Sequence, residues 1–91
     1  MRQAAKSPFI FPENRLRLAW LIRNSGFSAR IHGYEYLVAY GNRFLCLILL
    51  QPTDKTILIR EFEWLDESRK LVEKIIELIR TIDEESKIIV Y

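Results

Sequence analysis

The acidic side chains are the residues of this sequence with the clearest potential for chemistry. Carboxylates hold divalent metal ions that activate water for hydrolysis. Glu61 and Glu63 are separated by one residue, which places both on the same face of a strand. Glu35 and Asp54 are the other candidates for such a site. All four are also typical of solvated surface residues. Because Trp64 follows the Glu61–Glu63 pair, we favour that second interpretation.

Other catalytic or metal-binding patterns are missing from the sequence. His32 is the single histidine and Cys46 the single cysteine, whereas a zinc site needs several such ligands. There is no glycine-rich phosphate loop and no nucleophile elbow. We therefore expect a protein that is not an enzyme, with no metal, no cofactor and no small-molecule substrate. Cys46 lies inside an apolar run and is expected to be an inert buried thiol, as in the reducing cytoplasm.

Basic residues are concentrated in the first half of the chain. Residues 1–45 carry seven bases and two acids, whereas residues 46–91 carry seven bases and ten acids. All but one of the seven N-terminal bases are arginine, which suits bidentate contact with phosphate. The pattern is consistent with a basic face for an anionic partner such as DNA; solvated arginines on an amphipathic helix are the alternative. The candidate nucleic-acid-binding residues are Arg15, Arg17, Arg30, Arg43 and Lys55.

Aromatic residues indicate two further candidate surfaces. Residues 1–12 read as an extended arm, because Pro8 and Pro12 interrupt regular structure. This arm lies across its own domain or docks on a partner. Beyond Gly33 a stripe of tyrosines follows strand periodicity, which is suited to stacking bases or, as we favour, to cross-strand packing or a dimer face. The candidate partner-binding residues are Phe9, Ile10, Phe11, Tyr34, Tyr36 and Tyr40.

The elements that would position these residues are organised around the apolar run from Phe44 to Leu50. This run is much shorter than the roughly 20 residues that cross a bilayer, and it predicts a central strand covered on both faces. The other predicted elements are a helix over 13–24, a strand over 27–40 with a bulge at Gly33, a hairpin turn at Gly41-Asn42, a strand over 55–63, a helix over 66–83 capped by Asp66, and a strand over 87–91. Together they predict one mixed α/β domain over residues 13–91, in the order α-β-β-β-α-β, with an antiparallel meander flanked by two helices.

This order resembles the core of the PD-(D/E)xK nuclease fold, and the local sequence is similar to archaeal Holliday-junction resolvases over about residues 13–91. The similar stretches are Arg23-Asn-Ser-Gly-Phe-Ser-Ala-Arg30, Tyr36-Leu-Val-Ala-Tyr-Gly-Asn42 and Ile88-Ile-Val-Tyr91. The resemblance implies an aspartate near Glu35 and a Glu-x-Lys pair near Ile48 and Leu50, or near Leu49 and Gln51. Aliphatic side chains cannot replace carboxylates as Mg²⁺ ligands. The resemblance therefore implies a nuclease-like domain that has lost its metal site.

The sequence thus leads to three functional hypotheses. We favour a non-catalytic, nuclease-like accessory subunit that binds DNA within a replication, repair or recombination assembly. The alternative is a protein-interaction module or homodimeric adaptor without nucleic-acid binding, and the third is a metal-dependent nuclease with displaced acids. Twelve isoleucines and many charged residues favour a thermophilic source. The resemblance to archaeal resolvases implies an archaeal one. No signal peptide or membrane segment is recognisable, so we expect a cytoplasmic protein.

Overall fold

The computed structural model describes residues 6–62, 64 and 67–91. A short 3₁₀ helix, Pro8–Ile10, precedes helix α1, Pro12–Asn24. Four strands follow: β1, Ser28–His32; β2, Glu35–Tyr40; β3, Arg43–Gln51; and β4, Thr56–Glu61. Helix α2, Ser68–Arg80, and strand β5, Lys87–Val90, complete the chain. The predicted mixed α/β class, with one helix before and one after the strand meander, is confirmed.

The five strands form one sheet in the order β1-β2-β3-β4-β5. Strands β1 to β4 are antiparallel neighbours, and β5 pairs parallel to β4 after the crossover through α2. Helix α1 packs on β1, α2 packs on β3 and β4, and the two helices contact each other. Both helices therefore lie on the same face of the sheet.

Residues 27–40, predicted as one strand with a bulge at Gly33, form a hairpin of two strands. The sheet therefore has one strand more than expected. His32 and Glu35 are cross-strand partners, so Gly33 and Tyr34 form a two-residue turn. Gly33 has φ of 61°, and glycine at the first central position is typical of such turns. The bulge lies instead between β2 and β3, at Val38 and Ala39. The predicted turn at Gly41-Asn42 is present between β2 and β3.

The hydrophobic core lies between the helices and the sheet. Helix α2 contributes a stripe at helical spacing, Val72, Ile75 and Ile79, all fully buried. This helix ends at Arg80, three residues earlier than predicted, and the Asp66 cap falls outside the described residues. The other large, fully buried side chains are Phe9, Leu18, Ile22, Tyr36, Val38, Leu45, Ile48, Ile57 and Ile59.

Strand β3 is covered on one face only by the described elements, and this corrects the expectation of a strand buried on both sides. Cys46, Ile48 and Leu50 are buried beneath the helices, while the alternating residues Leu47 and Leu49 are half-buried. The physical reason is that both helices pack on the same side. The apolar run therefore has a covered face and an open face.

The described part of the N-terminal arm packs on its own domain. Phe9 is fully buried, and the backbone N–H of Ser7 donates to the Pro52 carbonyl at 3.2 Å. The Ser7 hydroxyl donates to Asp83 Oδ2 at 2.5 Å, and the Ser86 hydroxyl donates to the same oxygen at 2.6 Å. For residues 6–11 the structure thus decides between the two alternatives in favour of docking on the domain itself.

Candidate interaction surface

The face of the sheet opposite the helices, which we call the outer face, has an aliphatic centre. In the strand register, Leu37 faces Leu47, Leu49 faces Leu58, and Leu58 faces Ile89. The four leucines are half-buried and Ile89 is 37 % exposed. These five side chains therefore form a continuous apolar patch across four strands.

The continuous apolar sequences of β3 and β4 explain this patch. Alternate residues of a strand point to opposite faces, so a strand without polar alternation is apolar on both. Within the described residues, the partly buried side chains that pack on the core come from β1, from α2 and the turn after it, and from β5. The four leucines of the outer face do not belong to that group. They form an apolar sheet face that no described element covers, which is typical of an interaction surface.

Charged side chains surround the aliphatic centre unevenly. Arg30 and Arg60 lie at the two ends of one cross-strand row, with Leu37 and Leu47 between them. Glu35 lies opposite Leu49 in the next row. Within the five described strands, it is the only acid whose strand position faces outward. A surface with an apolar centre and an arginine-rich rim matches the composition of protein interfaces.

At one end of the sheet, aromatic rings lie beside arginines. The guanidinium of Arg43 lies 5.0 Å from the centroid of the Trp64 ring, and that of Arg60 lies 5.8 Å from the Phe62 ring. Trp64 Nε1 donates to the Phe44 carbonyl at 2.8 Å, and Phe44 is 58 % exposed. Sequence reasoning missed this cluster because the bulge places Phe44 opposite Ala39. A regular strand would have turned Phe44 toward the helices.

The five predicted nucleic-acid-binding residues do not share one surface. Arg43 and Lys55 flank opposite ends of the nine-residue strand β3, about 27 Å apart. Lys55 also pairs with Glu85 at 2.8 Å. Arg17 is exposed on α1, which packs on the covered side of the sheet. Of the five, Arg30 lies on the outer face, whereas Arg43 lies opposite Tyr40, whose strand position is on the helix side.

Arg15 is used inside the fold, which corrects its prediction as a phosphate contact. Its Nη1 donates to the carbonyls of Phe9 and Ile10 at 2.9 and 3.1 Å. Its guanidinium lies 4.3 Å from the centroid of the Tyr34 ring. Through these contacts the Arg15 guanidinium holds the arm against α1 and the β1–β2 turn.

Two of the predicted partner-binding aromatics are also internal. Tyr36 is fully buried and its hydroxyl donates to the Arg15 carbonyl at 2.6 Å, and burial raises the pKa of this phenol far above its usual value. Phe9 is fully buried as well. Neither ring is accessible to a partner in the folded chain, so this part of the prediction is wrong. Tyr40 packs against Phe27 with ring centroids 5.5 Å apart.

The remaining members of that set stay accessible. Tyr34 is 41 % exposed, Tyr40 is 44 % exposed and Phe11 is 55 % exposed, while Ile10 is half-buried. They lie at separate places: the β1–β2 turn, the end of β2 and the start of α1. They do not form one stripe.

The candidate metal ligands are dispersed as well. Glu35 belongs to the outer face, whereas Glu61 pairs with Cys46 on the covered face and its side chain, 4 % exposed, accepts from Arg69 Nε at 3.0 Å. Asp54 lies in the β3–β4 turn, and Glu63 falls outside the described residues. Among the described residues, no three histidine, cysteine or acidic side chains are placed to hold one metal ion. Burial and the nearby Glu61 carboxylate raise the pKa of Cys46 to about 12, as suits an inert thiol.

Helix α1 presents a second, smaller apolar surface. Leu16 and Trp20, one helical turn apart, are 61 % and 59 % exposed. A cleft of about 270 Å³ opens beside Leu16, between the start of α1 and the β1–β2 turn. Its lining consists of Pro12, Arg15, Leu16, Ile31 and Gly33. This surface lacks the continuous apolar area of the outer face.

Comparison with known proteins finds no matching family model, no matching curated protein and no matching solved structure. Neither of the two described helices is long and apolar enough to span a membrane.

Proposed function

We propose that this protein is a non-enzymatic protein-interaction module that binds through the outer face. The observation that carries this proposal is the aliphatic patch across four strands, on the side of the sheet that neither helix covers. Large exposed apolar areas rimmed by polar groups mark interaction sites in proteins.

The aliphatic centre favours a protein partner over a nucleic acid. Single-stranded nucleic acids bind to sheets by stacking bases on aromatic rings. The centre of this face carries leucines and one isoleucine, which have no flat ring to stack on. Aliphatic side chains are instead suited to packing against another apolar protein surface.

The energy available from the patch is moderate. Burying an exposed leucine or isoleucine fully stabilises by about 1.5–3 kcal/mol, so covering a half-buried one contributes about 1 kcal/mol. Part of this gain is offset by the loss of translational and rotational freedom on association. Rim contacts from the arginines must therefore add to the affinity.

A site-specific crosslinking experiment tests the proposal. A photoreactive amino acid replaces Leu49 at the centre of the patch, and in a control chain it replaces Glu73, which is exposed on α2. After irradiation in the producing cells, we expect protein adducts from position 49 and few from position 73. If position 49 gives no protein adduct, the outer face binds no protein and the proposal is wrong.

Binding of single-stranded nucleic acid is the second candidate, and the aromatic cluster at one end of the sheet favours it. Arg43 stacks near Trp64, Arg60 lies near Phe62, and Phe44 is exposed beside them. Arginines interleaved with rings are suited to phosphates and bases. This function corresponds to the non-catalytic, nuclease-like accessory subunit that the resemblance to the nuclease fold implies.

Fluorescence titration with single-stranded DNA and RNA at two salt concentrations separates this candidate from the first. If it is right, binding weakens steeply with salt and is reduced by Arg60→Ala and Phe44→Ala. Arg17→Ala, on the opposite side of the molecule, is the matched control and should bind normally. Absence of binding at low salt would exclude it.

A further inference from the structure

We infer that the outer face is occupied by a second copy of the same chain. This inference rests on the proposed function and specifies the partner. The observations that carry it are the positions of Glu35, Arg60, Arg30 and Tyr91 around the aliphatic patch, since these positions are complementary to one another across a two-fold axis.

The outer face can be described as rows of side chains running across the strands. One row contains Arg30, Leu37, Leu47 and Arg60, from β1 to β4. Tyr91 extends this row beyond Arg60, because its N–H donates to the Ile59 carbonyl and its carbonyl accepts from Glu61. The next row contains His32, Glu35, Leu49, Leu58 and Ile89.

Two copies can stack with their outer faces together, related by a two-fold axis that runs parallel to β3 midway between the sheets. This axis places each row over the same row of the second copy. Each β3 then lies over β3 of the second copy, β2 lies over β4, and β1 lies over β5. Stacked sheets pack about 10 Å apart with nearly aligned strands, which this axis permits. Leu47 and Leu49 then meet their own counterparts at the centre of the interface.

The same axis brings unlike groups together at the rim. Glu35 of β2 faces the β4 strand of the second copy and lies one row, about 6.7 Å along the strand, from its Arg60. Arg30 faces Tyr91 of the second copy, which is 65 % exposed and suited to a cation–π contact. Each pair occurs twice in the dimer. An axis perpendicular to the strands would instead place Arg30 opposite His32 and Glu35 opposite Leu37, so that neither complementary pair forms.

The size of the face indicates a weak, reversible dimer. Five strands spaced about 4.8 Å apart and the two rows spaced about 6.7 Å apart give about 320 Å² per copy. Stable interfaces bury about 600–1,000 Å² on each partner. We therefore expect dissociation in the micromolar range rather than an obligate dimer.

Sedimentation equilibrium from micromolar to millimolar concentration tests the inference with charge-reversal variants. Glu35→Arg and Arg60→Glu should each weaken the dimer about tenfold or more, because each removes an attraction and creates a repulsion at two symmetric places. The double variant restores opposite charges and should return to within about threefold of the original. Glu77→Arg, the same charge change on the exposed side of α2, is the control and should leave the dimer unchanged.

Leu49→Lys provides a separate test at the centre of the patch, with Glu73→Lys as its control. Leu49→Lys should abolish dimerisation, while circular dichroism and thermal unfolding confirm that each variant folds. A chain that stays monomeric at every concentration overturns the inference, and so does a dimer that ignores both Leu49→Lys and the charge reversals.

The failure of this inference is distinguishable from failure of the proposed function. Crosslinks from position 49 to a different protein, with a monomeric chain in sedimentation, would leave the outer face as a protein-binding surface and reject only the second copy. Crosslinks to nucleic acid alone would reject both.

Discussion

At the scale of single side chains, Asp83 joins several polar groups of the described chain. Its carboxylate accepts hydrogen bonds from the hydroxyls of Ser7 and Ser86 and from the backbone N–H groups of Glu85 and Ser86. Burial raises the pKa of this carboxyl, but the four hydrogen bonds together outweigh burial and lower it below its ordinary value. A carboxyl whose pKa is lower in the folded chain stabilises the fold when it is ionised.

The first prediction concerns the loss of that carboxylate. Asp83→Ala leaves the buried hydroxyls of Ser7 and Ser86 without their acceptor, so the free energy of unfolding at neutral pH should fall by about 2–4 kcal/mol. In the original chain the ionised Asp83 carboxylate stabilises the fold fully above the ordinary aspartate pKa of about 3.9. This stabilisation is lost as the pH falls through the lowered pKa of the folded chain. Urea unfolding between neutral and acidic pH measures both effects. A variant with the same acid dependence as the original would contradict the assignment.

Arg15 and Arg17 provide a matched pair for the second prediction. Arg15→Ala removes two hydrogen bonds to the arm carbonyls and the contact with Tyr34, and should lower the free energy of unfolding by about 2 kcal/mol. Arg17→Ala, two residues away and exposed, should change it by less than about 0.5 kcal/mol. Equal effects in thermal unfolding would show that Arg15 does not hold the arm.

At the scale of elements, a side chain from α1 caps part of the edge of the sheet at β1. The guanidinium of Arg23 donates to the Ala29 carbonyl of edge strand β1 at 3.1 and 2.7 Å. An edge carbonyl that already accepts hydrogen bonds is less available to another chain. Arg23 therefore makes the edge of β1 less available for pairing with a strand of another chain.

The third prediction concerns the turns that set the strand register. Gly33 and Gly41 have φ of 61° and 63°, a region that side chains with a Cβ disfavour, although an added Cβ would meet no atom within 4 Å at either glycine. Gly33→Ala and Gly41→Ala should each lower the free energy of unfolding by about 1–2 kcal/mol through backbone strain alone. Asn42→Ala, in the second turn but without a left-handed backbone, is the control and should cost less. Chemical unfolding measures all three, and an unchanged Gly33→Ala would contradict the turn geometry.

At the scale of the whole molecule, the structure joins a well-packed core to an uncovered apolar face. A second copy that binds only folded chains stabilises them by mass action. The fourth prediction is therefore that the Tm rises with protein concentration for the original chain. The Tm of Leu49→Lys should be independent of concentration, and the two chains should have similar Tm values when dilute. A concentration-independent Tm for the original chain would argue against self-association.

Periodicity along the chain predicted the class and order of elements because burial patterns are local. The α2 stripe and the β3 run are examples, since neighbouring residues alone define them. The number of covered faces was not predictable, because an apolar strand looks the same whether one helix layer packs on it or two. The roles of Arg15 and Tyr36 depended on carbonyls and ring contacts that only the folded chain brings together. The position of Phe44 depended on a bulge that no local pattern marks.

The hydrogen bond between Ser7 and Asp83 has a consequence for how the chain is made. It joins residues 76 positions apart, so the arm cannot complete its docking until the segment around Asp83 has left the ribosome. The arm is thus synthesised well before the segment around Asp83 that completes its docking. Until the arm docks, the Phe9 ring is not yet buried as it is in the folded chain. The growing chain therefore exposes an apolar arm during translation.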